Sequence, residues 1–301
     1  GYISITDTDV FSQHWDKTQL GQLMNDPTMK PFTDDLQRQM RERSSDLRER
    51  LGLTIDELET VPGRDVCVAR LLVAEDRSAL VLLSDVTDRL DDAQAFLKTA
   101  SATLVKEGAR QGRATVSGTP ALRFDLPIPP KARPAPGERA PKPDQTYYLI
   151  KDNLLAGADS LEVIQGILAR QAGGSGKTLA DVPAFQATME RCRKDLGDKT
   201  PQVRWFLEPF GYDRASQAAL PEDERALGRT TLEQFEAAGF DAVQGVGGVL
   251  DVGVDDYEAF HRTMIYGPKP PERSMKSNPL GTFARVSSVT SPSGCVGCFQ
   301  T

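Results

Sequence analysis

One order of elements is written twice along this chain, and that recurrence constrains the fold more than any single motif. The first pass runs from the strand Tyr2-Ile3-Ser4-Ile5 through helices to Leu51-Gly52-Leu53, then Val61-Pro62-Gly63, then a hairpin. The second runs from the strand Val203 to Leu207 through helices to Ala238-Gly239-Phe240, then Val246-Gly247-Gly248, then strands Val249–Val254 and His261–Tyr266. Short apolar strands joined by turns and separated by amphipathic helices predict an α+β fold, with antiparallel sheets of hairpins packed against long helices. The two passes share an order of elements and little sequence identity. A helix and a further hairpin follow the first pass but have no counterpart after Tyr266, so the duplication is expected to have an incomplete second copy.

Within the first pass, Asp7 or Thr8 is placed to cap a helix carrying His14 and Trp15 towards Leu23. Asp26-Pro27 reads as a cap with a first-turn proline. Phe32, Leu36, Met40, Leu47 and Leu51 recur at helical spacing from Pro31 to Gly52, which predicts one long amphipathic helix. Thr54 and Glu57 fit a capping box. Hairpins are predicted over Val66–Val73 with Ala79–Val86, over Arg113–Val116 with Leu122–Leu126, and over Thr146–Ile150 with Asn153–Ala156. A helix over Asp88–Gln111 separates the first two. Helices are further expected over Leu161–Ala172, Ala184–Leu196 and Thr231–Ala238.

These elements divide the chain into a first α+β unit at residues 1–157, linker helices with a partial second unit at 158–268, and a Pro/Ser/Gly-rich tail at 269–301. Residues 127–143 hold seven prolines and read as an exposed, polyproline-like excursion.

Charge and hydropathy narrow the partners. A formal net charge of -7 argues against affinity built on neutralising phosphates, so nucleic acid is not an expected partner. The one basic stretch, Arg38 to Arg50, is interleaved with Glu42, Asp46 and Glu49 and reads as a solvated helix face. No apolar run reaches the roughly 18 residues a membrane helix needs. The chain opens at Gly1 directly on a strand, as expected if a preceding segment such as a signal peptide has been removed.

No residue set here has the spacing that chemistry requires. Gly174-Ser175-Gly176-Lys177-Thr178 carries the end of a phosphate-binding loop, but position 171 is Gln where the loop needs Gly, and a helix precedes it where a strand should. Gly245-Val246-Gly247-Gly248 echoes a dinucleotide fingerprint but precedes a strand, and is expected to be a tight turn. His14 and His261 are the only histidines, on separate elements; His14 is expected to cap or pack a helix. Asp34-Asp35 and Asp91-Asp92 fall in first turns of helices, where the macrodipole favours them, and Ser160 is placed as a cap. Cys67 and Cys192 lie in a strand and a helix. Cys295 and Cys298 form a CxxC in the tail with no second ligand pair and no helix start behind it. No catalytic, cofactor-binding or metal residue is therefore assigned, and no cofactor.

Several stretches carry a resemblance. His14 to Leu23 with Asp26 to Phe32, then Gly52-Leu53-Thr54, Leu179 to Phe185, Arg204 to Tyr212 and Gly239 to Gly248, resemble an uncharacterised family of secreted or membrane-associated bacterial proteins typical of planctomycetes. The resemblance covers about residues 1–268. It implies export to the periplasm or outside the cell, and it brings no activity or catalytic residue with it. Family members usually continue with a further globular region past the position of Tyr266, where this chain departs.

The expectation is thus a non-catalytic exported protein, a structural or binding component of the cell envelope. A protein partner or a C-terminal region is expected to cover strands 249–254 and 261–266. The alternatives are a hydrolase-like enzyme with a dispersed site, which would show converging titratable groups in a deep pocket, and a carrier, which would show a large apolar cavity.

Overall fold

The structure is a computed structural model that describes residues 1–58, 60–128, 143–197, 199–220, 225, 233–235, 242–254 and 257–268. Most of the proline-rich stretch, most of the expected helix Thr231–Ala238 and the whole tail with Cys295 and Cys298 lie outside the described residues. Among them, ten strands form a single antiparallel sheet: β1 (Tyr2–Thr6), β2 (Asp65–Ala74), β3 (Arg77–Asp85), β4 (Arg110–Val116), β5 (Thr119–Asp125), β6 (Gln145–Lys151), β7 (Leu154–Ala158), β8 (Val203–Leu207), β9 (Gly245–Val254) and β10 (Tyr257–Tyr266). Their order is β10-β9-β8-β1-β2-β3-β7-β6-β5-β4. The helices are α1 (Thr8–Lys17), α2 (Gln19–Asn25), α3 (Lys30–Arg43), α4 (Ser45–Leu51), α5 (Ile55–Leu58), α6 (Leu90–Lys106), α7 (Leu161–Gln171), α8 (Pro183–Leu196) and α9 (Pro209–Ala219). The α+β class with an antiparallel sheet of hairpins is what the apolar patterning demanded.

The recurrence in sequence has a counterpart in space. β1 and β8 pair antiparallel at Ser4 and Arg204, and the strands run outward in matching order, β1-β2-β3 on one side and β8-β9-β10 on the other. In each half the first strand is followed by helical structure, α1 to α5 after β1 and α9 after β8, and then by a hairpin that returns beside it.

Two apolar cores hold the β3 to β4 side of the sheet. On one face, Leu47 and Leu51 of α4 and Ala93, Phe96, Ala100 and Leu104 of α6 pack on Leu80, Leu82, Phe124, Tyr148 and Leu155. On the other, Ile164, Ile167 and Leu168 of α7 pack on Val81, Val116, Tyr147, Leu149, Ala156 and Ala158. Successive strand residues alternate between these faces, which is why β3, β6 and β7 read as nearly continuous apolar runs. Near β1 the second face is closed by α8, whose Phe185 stacks edge-on to Phe206 and tilted against Tyr2.

Local chemistry set the breaks that helical periodicity missed. The expected helix past Trp15 divides at Thr18, whose hydroxyl donates to the Trp15 carbonyl at 2.7 Å and accepts from Gly21 N–H at 2.9 Å, starting α2 afresh. The long helix expected from Pro31 to Gly52 divides at Ser44, whose hydroxyl donates to the Met40 carbonyl at 2.7 Å. After this break only α4 keeps its stripe in the core. Phe32 and Met40 of α3 stay exposed. A helix that periodicity did not show, α9, starts where the Glu208 carboxylate caps Gly211 N–H and Pro209 takes the first position.

The expected tight turn at Gly245 to Gly248 is overturned: these residues lie inside β9. They are glycine because neighbours approach closely. A Cβ on Gly247 would stand 2.8 Å from the Trp205 carbonyl, and one on Gly248 would overlap the Arg262 carbonyl of β10.

Candidate functional site

One row of directly opposed residues crosses the whole sheet on the α4/α6 face: Thr263, Gly248, Trp205, Ile3, Val68, Leu82, Gly157, Tyr148, Leu122 and Arg113. Opposed residues share a face, so burial along the row measures what covers the sheet. Leu82 is 0% exposed and Tyr148 1%, whereas Ile3 is 48% exposed and Thr263 is exposed too. The next row towards that open end, Ile265, Val246 and Leu207, ends in Ile265 at 62% exposure. The same face is thus a sealed core over β3 and β6, half-buried at Trp205 and Val246, and open at Ile3 of β1 and Ile265 of β10.

The β8–β9 part of the sheet is anchored by α1. Gln202 joins three elements: its Nε2 stands 2.6 Å from His14 Nδ1 and 3.2 Å from the Val252 carbonyl, its Oε1 accepts from Val252 N–H at 3.0 Å, and its own N–H donates to Asp251 Oδ1 at 2.7 Å. Burial raises the Asp251 carboxyl above the usual carboxylate range. His14 packs α1 against the sheet, as expected from the sequence. On the outer side, Gln19 N–H at the start of α2 donates to Glu258 of β10 at 2.7 Å.

The two sheet edges differ in kind. β4 presents Arg110, Gln111 and Arg113 along seven residues, the short and charged edge that resists further pairing. β10 runs ten residues without proline, and its positions Tyr257, Ala259, His261, Thr263 and Ile265 are all exposed. No described strand pairs with its outer side.

On the opposite face a polar strip crosses the centre of the sheet. Ser4, Cys67 and Arg204 form one row, with Thr6 and Asp65 beside them. Ser4 Oγ, Thr6 Oγ1, Asp65 Oδ1 and Arg204 Nε are buried without a hydrogen-bond partner, and Asp65 Oδ1 is 3.6 Å from Arg204 Nη2. Burial pushes the Cys67 thiol up to about 11, the reverse of what a nucleophilic thiol needs.

The remaining sequence candidates fall into structural roles. Asp34 pairs with Lys30 at 3.0 Å, Asp35 with Arg38, and Asp91 and Asp92 lie in the first turn of α6. Ser160 Oγ accepts from Val163 N–H at 3.4 Å and caps α7. Thr178, the last residue of the loop-like GKT, has its N–H and hydroxyl bound by Asp181 at 2.7 and 2.9 Å, so this segment links helices. Among the described residues no group of three or more His, Cys, Asp and Glu is placed to hold a metal ion. A shallow groove of about 740 Å³ runs along the outer side of α6, lined by Leu97, Ser101, Val105 and Leu122 among others, and lies open to solvent. No helix among the described residues is long and apolar enough to cross a membrane.

Compared with protein-family models, curated proteins and solved structures, the chain has no significant match. The surface that stands out was half legible in sequence. The expected strand His261–Tyr266 is only the second part of β10, whose first part, Tyr257 to Phe260, was signalled by aromatic residues at its beginning and end.

Proposed function

We propose that this is an exported, non-catalytic component of the cell envelope that works by binding a partner polypeptide at the outer edge of β10. The observation that carries this reading is the contrast along one sheet face, sealed at Leu82 and exposed at Ile3 and Ile265, ending in the ten-residue strand β10, whose outer side no described strand pairs. Exposed contiguous apolar surface on a folded protein marks interaction sites, and an unpaired edge strand offers a row of backbone donors and acceptors. Export rests on the family resemblance of residues 1–268. Phe32 and Met40 of α3 are further exposed apolar side chains.

The test is a photo-crosslinking amino acid at position 265, compared with one at position 113 on the opposite edge, in cells producing the protein from its own gene. Recovery outside the cytoplasm with a discrete adduct from position 265 alone is the expected result. Cytoplasmic recovery overturns export, and equal or absent adducts at the two positions overturn the binding role.

A further inference from the structure

We infer that the outer edge of β10 accepts one antiparallel strand carried with an amphipathic helix, the combination that β7 and α6 supply to β3. This rests on the binding role proposed above and names the chemistry of the partner. Three observations carry it. β10 holds the place in its half that β3 holds in the other, third outward from the central β1–β8 pair. The outer edge of β3 is filled by β7, in register from Val81 opposite Ala158 to Asp85 opposite Leu154. The face beside that junction is sealed by the α6 stripe Ala93, Phe96, Ala100 and Leu104, while on the equivalent face beside β10 Ile3 and Ile265 are exposed and Trp205 and Val246 are only half-buried.

The chemistry of the occupant follows. Its strand pairs through backbone hydrogen bonds, so it needs no charge complementarity, only a run without proline. Its helix presents apolar residues three and four apart, as α6 does, because it meets the apolar side chains of Ile3, Trp205, Val246 and Ile265. Residues 269–301 contain no such period, so another segment of polypeptide supplies it. The β4 edge, with Arg110 and Arg113, does not compete for it.

The test uses the full chain and a labelled synthetic probe in which the α6 sequence, Leu90–Lys106, is joined by a flexible linker to the β7 sequence, Leu154–Ala158. Fluorescence anisotropy is expected to show saturable binding at micromolar concentration, about the range that a single strand and helix sustain. Hydrogen exchange is expected to show β10 amides slowed by the probe. Ile265→Lys, at an exposed position that leaves the melting temperature unchanged, is expected to weaken binding at least tenfold. Absence of saturable binding, or binding indifferent to Ile265→Lys, overturns the inference. So does a dimer of the chain, seen by light scattering, that Ile265→Lys dissociates, because the occupant is then a second copy. Exchange of the free monomer separates the two levels: β10 amides as protected as those of β3 overturn the open edge itself, whereas fast exchange without probe binding overturns only the occupant.

Discussion

The Tyr148 hydroxyl, on β6, donates a 2.6 Å hydrogen bond to the carbonyl of Leu51, the last residue of α4. That carbonyl is one of those a helix end leaves unpaired, and it is buried, so the phenol satisfies what water cannot reach. The room for the ring comes from Gly157 opposite, where a Cβ would overlap it. Tyr148→Phe keeps the packing and orphans the carbonyl, so a loss of about 1–3 kcal/mol is expected. Urea unfolding with an unchanged m-value checks it; no loss would mean that the Leu51 carbonyl has another partner.

The burial contrast along the Ile3 and Leu82 row makes a second prediction. Leu82→Ala opens a cavity in a sealed core and is expected to cost about 2–5 kcal/mol, while Ile3→Ser removes a half-exposed side chain and is expected to cost under about 1 kcal/mol. Equal costs in thermal unfolding would show that Ile3 is covered in solution.

How much of this was legible in sequence depended on which interactions decide each element. Strands such as Val203–Leu207 and the hairpin around Glu75 and Asp76 are set by local apolar patterning and turn residues, and they appear where expected. The Thr54 and Glu57 capping box is formed as read, with Thr54 N–H donating to Glu57 Oε2 at 2.8 Å. The union of both halves in one sheet was not legible, because the Ser4 and Arg204 pairing is a contact across two hundred residues that periodicity cannot see. Nor was the exposure of Ile265. Phe32, Met40 and Ile265 are as apolar as Leu82, and only tertiary packing separates a core position from an exposed one.

Gly248 supplies a third test, because composition suggested a turn and the structure shows a close approach. Its added methyl would meet the Arg262 backbone, which cannot rotate away as a side chain would. Gly248→Ala is expected to cost about 1–3 kcal/mol and to speed amide exchange along β10. Gly176→Ala, with nothing within 4 Å of the new atom, is expected to change stability by less than about 0.5 kcal/mol. A turn at 245–248 would give neither the cost nor the effect on β10.

Cys67 is expected to be unreactive while the chain is folded. Burial is the main cause of its raised value of about 11, the Arg204 charge opposing it and Asp65 adding to it. At pH 8 only about one thiol in a thousand is then ionised, against about a quarter for an ordinary cysteine. Peptide-level mass spectrometry after iodoacetamide treatment is expected to show Cys67 labelled about a hundredfold more slowly in the folded chain than in urea. Rapid labelling when folded would expose the thiol and make the polar strip a reactive one.

Asp85 and Asp159 are expected to give stability curves of opposite slope. Asp85 accepts from the Thr87 hydroxyl at 2.6 Å and its N–H at 3.0 Å, and these bonds hold its carboxyl below the usual range. The unfolded chain binds that proton more readily, so the contribution of Asp85 is present above about pH 4 and lost as pH falls through its folded value. Asp159 accepts from Leu80 N–H at 2.9 Å and lies 2.5 Å from Arg50 Nε, yet burial outweighs both and raises its carboxyl. Here the folded chain binds the proton more readily, so the contribution is fully present below about pH 4 and lost as pH rises through the folded value. The stability of the wild type minus that of Asp85→Asn should therefore climb with pH, and the same difference for Asp159→Asn should fall. Urea midpoints measured between pH 3 and pH 7 decide it, and slopes of the same sign would mean that the Arg50 charge, not burial, governs Asp159.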